Sequence, residues 1–410
     1  MPVLALNSEL TAERDVLGGK AWSIAHMMRQ GAKVPPAFVI TTDECRRFSD
    51  TGRLSGDVLA ALSSAMRDLE QQTNSTFGGG ESPLLVSVRS GASISMPGMM
   101  DTVLNLGQTP DVIATIANSS GDPKFADDLA GRFAEQFTQI VGQAPPADPW
   151  EQLHAAIAAV FGSWNSRRAV TYRKEKQIPE LGGTAVTVQA MVFGNRDARS
   201  GTGVLFSRDP FGRSDAPYGE WLPGGQGEDV VSGRHDPHPI SDLERSEPEA
   251  YRDLMAAARR LDEAAGCAQD IEFTVQSGQL WLLQTRAAKI QSAPASRHEG
   301  GGVEVASGRP ASTGVGSGVV VCDSDEAEER ALAGEDIILA RRTTSPDDVH
   351  AMAVVRAVLT EIGGATSHAA VVSRELQVPC VVGCGVDTVT QLEGQRVTVD
   401  ATEGRVVRAQ

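Results

Sequence analysis

Between Gln291 and Gly302 the chain reads QSAPASRHEGGG, a run of small, polar and glycine residues. Such a run buries nothing and reads as a flexible linker. It separates residues 1–290 from residues 303–410, so the 410 residues cannot share one core. The first part is large for a single compact unit and is expected to hold two lobes.

Apolar residues at three- and four-residue spacing predict helices over Gly19–Gln30, Gly56–Gln71, Asp122–Val141, Trp150–Glu175 and Pro248–Ala265. Asp122-Pro123 supplies a cap followed by a first-turn proline. Strands are expected over Phe38–Thr41, Leu84–Val88, Ala185–Val192, Gly203–Phe206, Ile271–Val275 and Leu280–Gln284, the last two as a hairpin about Gln276-Ser277-Gly278-Gln279. Beyond the linker, strands are expected over Val319–Cys322, Asp336–Ala340, Ala357–Thr360, Cys380–Val382 and Arg396–Val399, with short helices over Asp347–Ala353 and Ser367–Glu375.

Charge narrows the partners. Lys and Arg number 37 against 53 Asp and Glu, a net charge of −16. A surface so acidic repels nucleic acid and anionic membranes, so neither is an expected partner. No uncharged apolar run reaches the roughly 20 residues that cross a bilayer. The N-terminal residues show neither a basic nor an apolar leader pattern, and the five cysteines form no Cys-x-x-Cys pair. The chain reads as cytoplasmic.

Four segments carry candidate chemistry. Gly18-Gly19-Lys20 opens a helix, where glycines let backbone amides approach an anion and Lys20 adds a mobile charge. The same turn also serves as a plain helix entry. Arg89 ends an apolar strand ahead of Ser93-Ile94-Ser95-Met96-Pro97-Gly98-Met99-Met100-Asp101. That loop offers amides and hydroxyls to phosphate oxygens; the bland reading is a loop packed by its methionines. Asp270 and Glu272 alternate onto one face of a strand, and Gln284 and Arg286 follow on the next. Two carboxylates and an amide oxygen suit Mg²⁺, and Arg286 suits a phosphoryl group; a solvated hairpin face explains the same pattern. Finally, Gly363-Gly364-Ala365-Thr366-Ser367-His368 runs from a loop into a helix start. Small neighbours leave His368 approachable, and free amides with the helix dipole favour an anion beside it. Alone, such a histidine is as readily a structural hydrogen-bonder. His235 and His238 lie in a proline-rich loop and read as a solvated turn.

Taken together, Val86–Leu106, Gly201–Pro210, Tyr218–Val231, Asp270–Arg286 and Gly363–Arg374 resemble pyruvate, phosphate dikinase and, more loosely, phosphoenolpyruvate synthase, block by block and in order. The resemblance implies an α/β and α+β multidomain chain. Residues 1–290 would form an ATP-grasp nucleotide-binding region, 291–302 a linker, and 303–410 a small swivelling phosphohistidine α/β domain. It implies that Lys20, Arg89, Arg286 and Arg132 hold ATP phosphates, and that Ser95, Met96 and Gly98 belong to the loop that grips them. Gln189, Met191 and Val192 would lie beside adenine, and Glu272 and Gln284 would bind Mg²⁺ with Asp270 next to them. Glu220 matches a Tyr-Gly-Glu motif without a firm role. Thr366 matches a threonine phosphorylated in plant members. The family's large C-terminal barrel, which binds pyruvate or phosphoenolpyruvate, has no counterpart before Gln410.

The reaction implied is attack by His368 on the β-phosphorus of ATP, giving a pyrophosphohistidine and AMP. Inorganic phosphate would take the outer group, and the remaining phosphate would pass to an acceptor, either a small molecule or one bound by a separate barrel subunit. Two other readings stand beside it. One is a self-phosphorylating phosphocarrier or regulatory partner with no acceptor chemistry of its own. The other is an ATP-grasp ligase making acyl phosphates, in which His368 is dispensable.

Overall fold

Runs of β-branched residues set the three main sheets of the computed structural model, which describes residues 2–94, 96, 98–178, 182–231, 235–291 and 302–408. The chain divides into two compact units. The first comprises Met1–Arg196 with Trp281–Thr285, and the second Asp197–Leu280 with Arg286–Gln410.

In the first unit, a five-stranded antiparallel sheet has Ala185–Ala190 at its centre. Ala37–Ile40 and Val86–Gly91 flank it, and Val3–Ala5 and Thr102–Leu106 form the edges. All six residues of the central strand are buried, as a strand covered on both faces requires. Helices Arg14–Arg29 and Pro149–Ser163 pack on this sheet. Pro110–Ser120 and Pro123–Val141 enclose a separate cluster of Leu85, Val112, Ile116, Phe125 and Leu129.

The second unit holds two further sheets. One has the order His238–Pro239, Tyr218–Pro223, Gly201–Phe206, Gln269–Gln276, Gln279–Ala287; the Trp281–Thr285 part of that last strand belongs to the first unit. Ser277 and Gly278 between the last two strands both have positive φ, the conformation of a tight hairpin turn. The other sheet has eight strands. At its centre Val315–Val321, Ile337–Arg341, Ala357–Thr360 and Cys380–Val382 run parallel. Each consecutive pair is joined through helix, at Ser324–Leu332, Val349–Met352 and His368–Leu376, as parallel strands demand. Arg396–Asp400 returns antiparallel beside Val315–Val321. The core of this sheet is Val320, Ile338, Leu359, Val381, Val397 and Val399 with their neighbours. The chain is therefore mixed α/β, with antiparallel sheets before a parallel-centred one.

Every strand expected beyond the linker is present within a few residues. The expected helix Trp150–Glu175 is two helices, Pro149–Ser163 and Arg167–Glu175. Ser166 adopts extended backbone and its hydroxyl accepts from the Ala169 amide, so it starts a new helix inside an unbroken apolar pattern. The expected Leu84–Val88 strand is a short Pro83–Leu84 pairing followed by Val86–Gly91. Apart from Gln291 and Gly302, the expected linker lies outside the described residues. No described helix is long and apolar enough to cross a membrane.

Ile338 is wholly buried at the centre of the eight-stranded sheet. Ile338→Ala is expected to destabilise that unit by about 2–5 kcal/mol, read as a lowered urea midpoint.

Candidate active site

In the first unit, Gly18 has φ +71°, and a Cβ there would collide with the Gly91 carbonyl. The Gly19 amide donates to the Ala92 carbonyl at 2.8 Å. Gly18 has non-helical backbone and kinks the Arg14–Arg29 helix, so the helix restarting at Gly19 presses onto the end of the Val86–Gly91 strand. That close approach brings Lys20 beside Gly91, two residues beyond Arg89. Arg89 donates to Gln284 Oε1 at 3.2 Å, within the same unit.

The methionine loop is pinned at its far end. Arg168 donates to the Met99 carbonyl at 3.3 Å and pairs with Asp101, while the Ser163 hydroxyl accepts the Asp101 amide at 3.3 Å. Met96 and Met99 are buried, and Gly98 has φ +73°. Ser95 lies outside the described residues.

Two other expected ATP contacts have local partners. Arg132 is held on its own helix by Asp128 at 2.8 Å. Gln189 is buried and donates to the Pro35 carbonyl at 3.0 Å. Met191 and Val192, just past the end of its strand, are half-buried.

In the second unit, Arg286 forks onto Asp270 Oδ2 through Nε at 2.8 Å and Nη2 at 2.7 Å. Burial opposes its charge, but Asp270 and Glu272 together outweigh burial and raise its pKa. Asp270 and Glu272 sit two apart on one strand, as expected, opposite Phe206 and Val204. Gln284 and Arg286 are likewise two apart on their strand.

His368 opens the helix His368–Leu376, with Ser367 as its cap. The preceding loop, buried from Gly363 to Ser367, presents its amides to Glu220 of the Tyr218–Pro223 strand. Ala365 N–H donates to Oε1 and Thr366 N–H to Oε2, both at 2.9 Å, and the Thr366 hydroxyl donates to Oε2 at 2.5 Å. Arg309 Nη1 stands 3.5 Å from the same carboxylate. A Cβ on Gly364 would run into Glu220, which is why glycine is needed there. Gly363 N–H donates to Asp236 at 3.2 Å, beside His235 and just ahead of the His238–Pro239 strand. His238 pairs with Asp242 at 3.0 Å. Burial, then repulsion from Glu220, pushes the Tyr218 phenol up to about 12.

Behind the loop, Arg374 donates to the Ala311 carbonyl at 3.0 Å and the Ala365 carbonyl at 2.7 Å, with its guanidinium 5.3 Å from the Phe206 ring centre. His368 itself is half-buried, and its Nδ1 lies 3.0 Å from the Thr344 hydroxyl. Sequence reasoning assigned no role to Glu220, Arg309, Arg374 or Thr344. Arg374 shares the Gly363–Arg374 block and was within reach. Glu220 and Arg309 act across long separations that no local spacing encodes.

By their descriptions, the two family models that this chain matches are an AMP/ATP-binding domain followed by a mobile domain. Residues 14–76 and 51–248 match the model of the pyruvate phosphate dikinase AMP/ATP-binding domain, and residues 333–404 match that of the PEP-utilising enzyme mobile domain. Pyruvate, phosphate dikinase of Clostridium symbiosum is 34% identical over 96% of this chain and 56% of its own length. Pyruvate, phosphate dikinase 2 of Zea mays is 37% identical over 90% of this chain and 51% of its own. The Rhizobium meliloti (strain 1021) enzyme of the same name is 34% identical over 97% and 56%. The chain belongs to the pyruvate, phosphate dikinase family. It spans about half the length of the curated relatives it matches.

Glu220→Ala would leave the Ala365 and Thr366 amides without their acceptor, a loss of about 1–3 kcal/mol. Hydrogen exchange followed by mass spectrometry should show faster exchange over 363–370, with exchange over Val86–Leu106 unchanged.

Proposed function

We propose that this chain is an ATP-dependent dikinase-type phosphotransferase that loads phosphate onto His368, releases AMP and passes phosphate to an acceptor. One observation carries the reading. Within the stretch that matches the mobile domain, a half-buried histidine opens a helix, flanked by Ser367 and Ala369, with one ring nitrogen held by Thr344. A neutral imidazole so placed is a competent nucleophile near neutral pH.

In this reading residues 1–290 are the nucleotide-binding region and 303–410 the swivelling domain, joined by the 291–302 linker. Lys20, Arg89, Arg132 and Arg286 neutralise the triphosphate, with Ser95, Met96 and Gly98 in the loop that grips it. Gln189, Met191 and Val192 line the adenine side, and Asp270 orients Arg286 through the fork described above. The donor chemistry fits Mg²⁺: the Glu272 carboxylate and the Gln284 amide oxygen are hard ligands, and phosphate oxygens and water would complete the shell. Mg²⁺ held there would offset the charge of the phosphates. Inorganic phosphate is the second substrate, and the final acceptor is a small molecule or one bound by another chain. Acting on ATP, the protein would work in the cytoplasm.

Incubation with MgATP and phosphate, followed by nucleotide chromatography, is expected to yield AMP from the wild type and none from His368→Ala. AMP produced equally by the variant would overturn the assignment, and ADP in its place would remove the dikinase reading. Product that stops at one equivalent per chain, whatever small molecules are offered, would favour the self-phosphorylating carrier.

A further inference from the structure

The loop carrying Thr344 is built to hold that residue in place. It leaves the C-terminal end of the Ile337–Arg341 strand, next to the strand Ala357–Thr360 that leads into the histidine loop. Loops at the carboxyl ends of neighbouring parallel strands converge, and that is where α/β sheets place reactive groups. The Ile362 amide donates to the Arg342 carbonyl at 3.1 Å, tying the two loops together at their roots. Asp348, buried, accepts from the Ser345 amide at 2.7 Å and its hydroxyl at 3.2 Å, and stands 3.4 Å from Arg341. Arg341 also donates to the Cys322 carbonyl at 2.7 Å. Thr344, 5% exposed, is therefore fixed by the residues on either side of it, and its hydroxyl meets Nδ1 of His368.

A hydroxyl can donate to a ring nitrogen or accept from one, and the two cases have opposite consequences. If Thr344 donates, the imidazole proton sits on Nε2 and that nitrogen has no lone pair to give. If Thr344 accepts, the proton sits on Nδ1 and Nε2 is nucleophilic. In free histidine the Nε2–H tautomer predominates, so an unaided ring would mostly be in the wrong form. We propose that Thr344 is a positioning residue: it accepts the Nδ1–H of His368 and so presents the Nε2 lone pair to phosphorus. This rests on reading His368 as the phosphoryl acceptor.

The step balances without an external base. The Nε2 lone pair forms the N–P bond, the P–O bond to the departing phosphate oxygen breaks with its electron pair, and Nδ1 keeps its proton. The ring becomes cationic, and the Thr344 oxygen stabilises the charge through the same hydrogen bond. On transfer to an acceptor the N–P electron pair returns to the ring, again with no proton moved at Nδ1.

The test uses the full chain labelled with ¹⁵N-histidine, in wild-type, Thr344→Val and Thr344→Ser forms. The sequence has seven histidines, so the His368 signals are assigned by their loss in His368→Ala. Wild type and Thr344→Ser are expected to show the Nδ1–H tautomer, and Thr344→Val a shift toward Nε2–H. Phosphate gain from MgATP should slow about tenfold or more in Thr344→Val, since loss of an imidazole's orienting partner can cost far more. Thr344→Ser should recover most of the rate, and the KM for ATP should not change. A Thr344→Val protein with wild-type tautomer populations, or with the wild-type loading rate, would overturn the proposal. A wild-type chain that gains no phosphate at all would overturn the proposed function instead, and the tautomer comparison would then decide the role of Thr344 alone.

Discussion

The buried carboxylate of Glu220 takes up the amides of the loop that leads into the His368 helix, and the geometry around His368 depends on it. The first turn of any helix has N–H groups with no partner inside the helix, and its dipole draws negative charge. Here two amides just before the first turn, those of Ala365 and Thr366, and one hydroxyl close on a single acceptor. A carboxylate so buried is costly unless hydrogen-bonded, and these three donors, with Arg309 nearby, offset that cost. Small residues are required as a consequence: Gly364 leaves no room for a Cβ against the carboxylate. Arg374 closes the back of the loop through the Ala365 carbonyl, so the loop is held on both its amide and its carbonyl side.

Once that loop is set, the remaining chemistry is a matter of where neighbouring side chains reach. Parallel strands deliver the Thr344 loop and the histidine loop to the carboxyl ends of two neighbouring strands at the centre of the eight-stranded sheet, and the ring is gripped at Nδ1. In the first unit the same economy appears in a different form. Gly18 kinks a helix so that its restart touches a strand end, which brings Lys20 close to the strand that carries Arg89. In the second unit Arg286 keeps its charge under burial because Asp270 and Glu272 surround it.

Much of this was legible in the sequence, for reasons that differ from part to part. Several strands beyond the linker read well as short apolar runs bounded by Gly, Pro or Asp, such as Val319–Cys322 between Gly318 and Asp323 and Cys380–Val382 between Pro379 and Gly383, and buried parallel strands are continuous in that way. The pairing of Asp270 and Glu272 on one face follows from strand alternation alone. The break between Ser163 and Arg167 was not legible, because apolar spacing continues through it and only the Ser166 cap marks the restart. Glu220 was visible as a motif but not as an acceptor, since its partners lie 145 and 146 residues away. Thr344 stayed hidden because a Thr-Ser-Pro-Asp-Asp turn looks like ordinary loop chemistry until the strand order places it beside His368. The two compact units also divide the chain between Arg196 and Asp197, where composition gives no signal.

The central claim is that phosphorus from ATP becomes bonded to one imidazole. The most direct measurement is peptide mapping of the chain after brief exposure to MgATP, under alkaline conditions that preserve phosphohistidine. The account predicts an acid-labile phosphate on the peptide containing Gly363–Arg374, located at His368 by fragmentation. Phosphate found on a different residue, or on Thr366 in the same peptide with His368 unmodified, would contradict it.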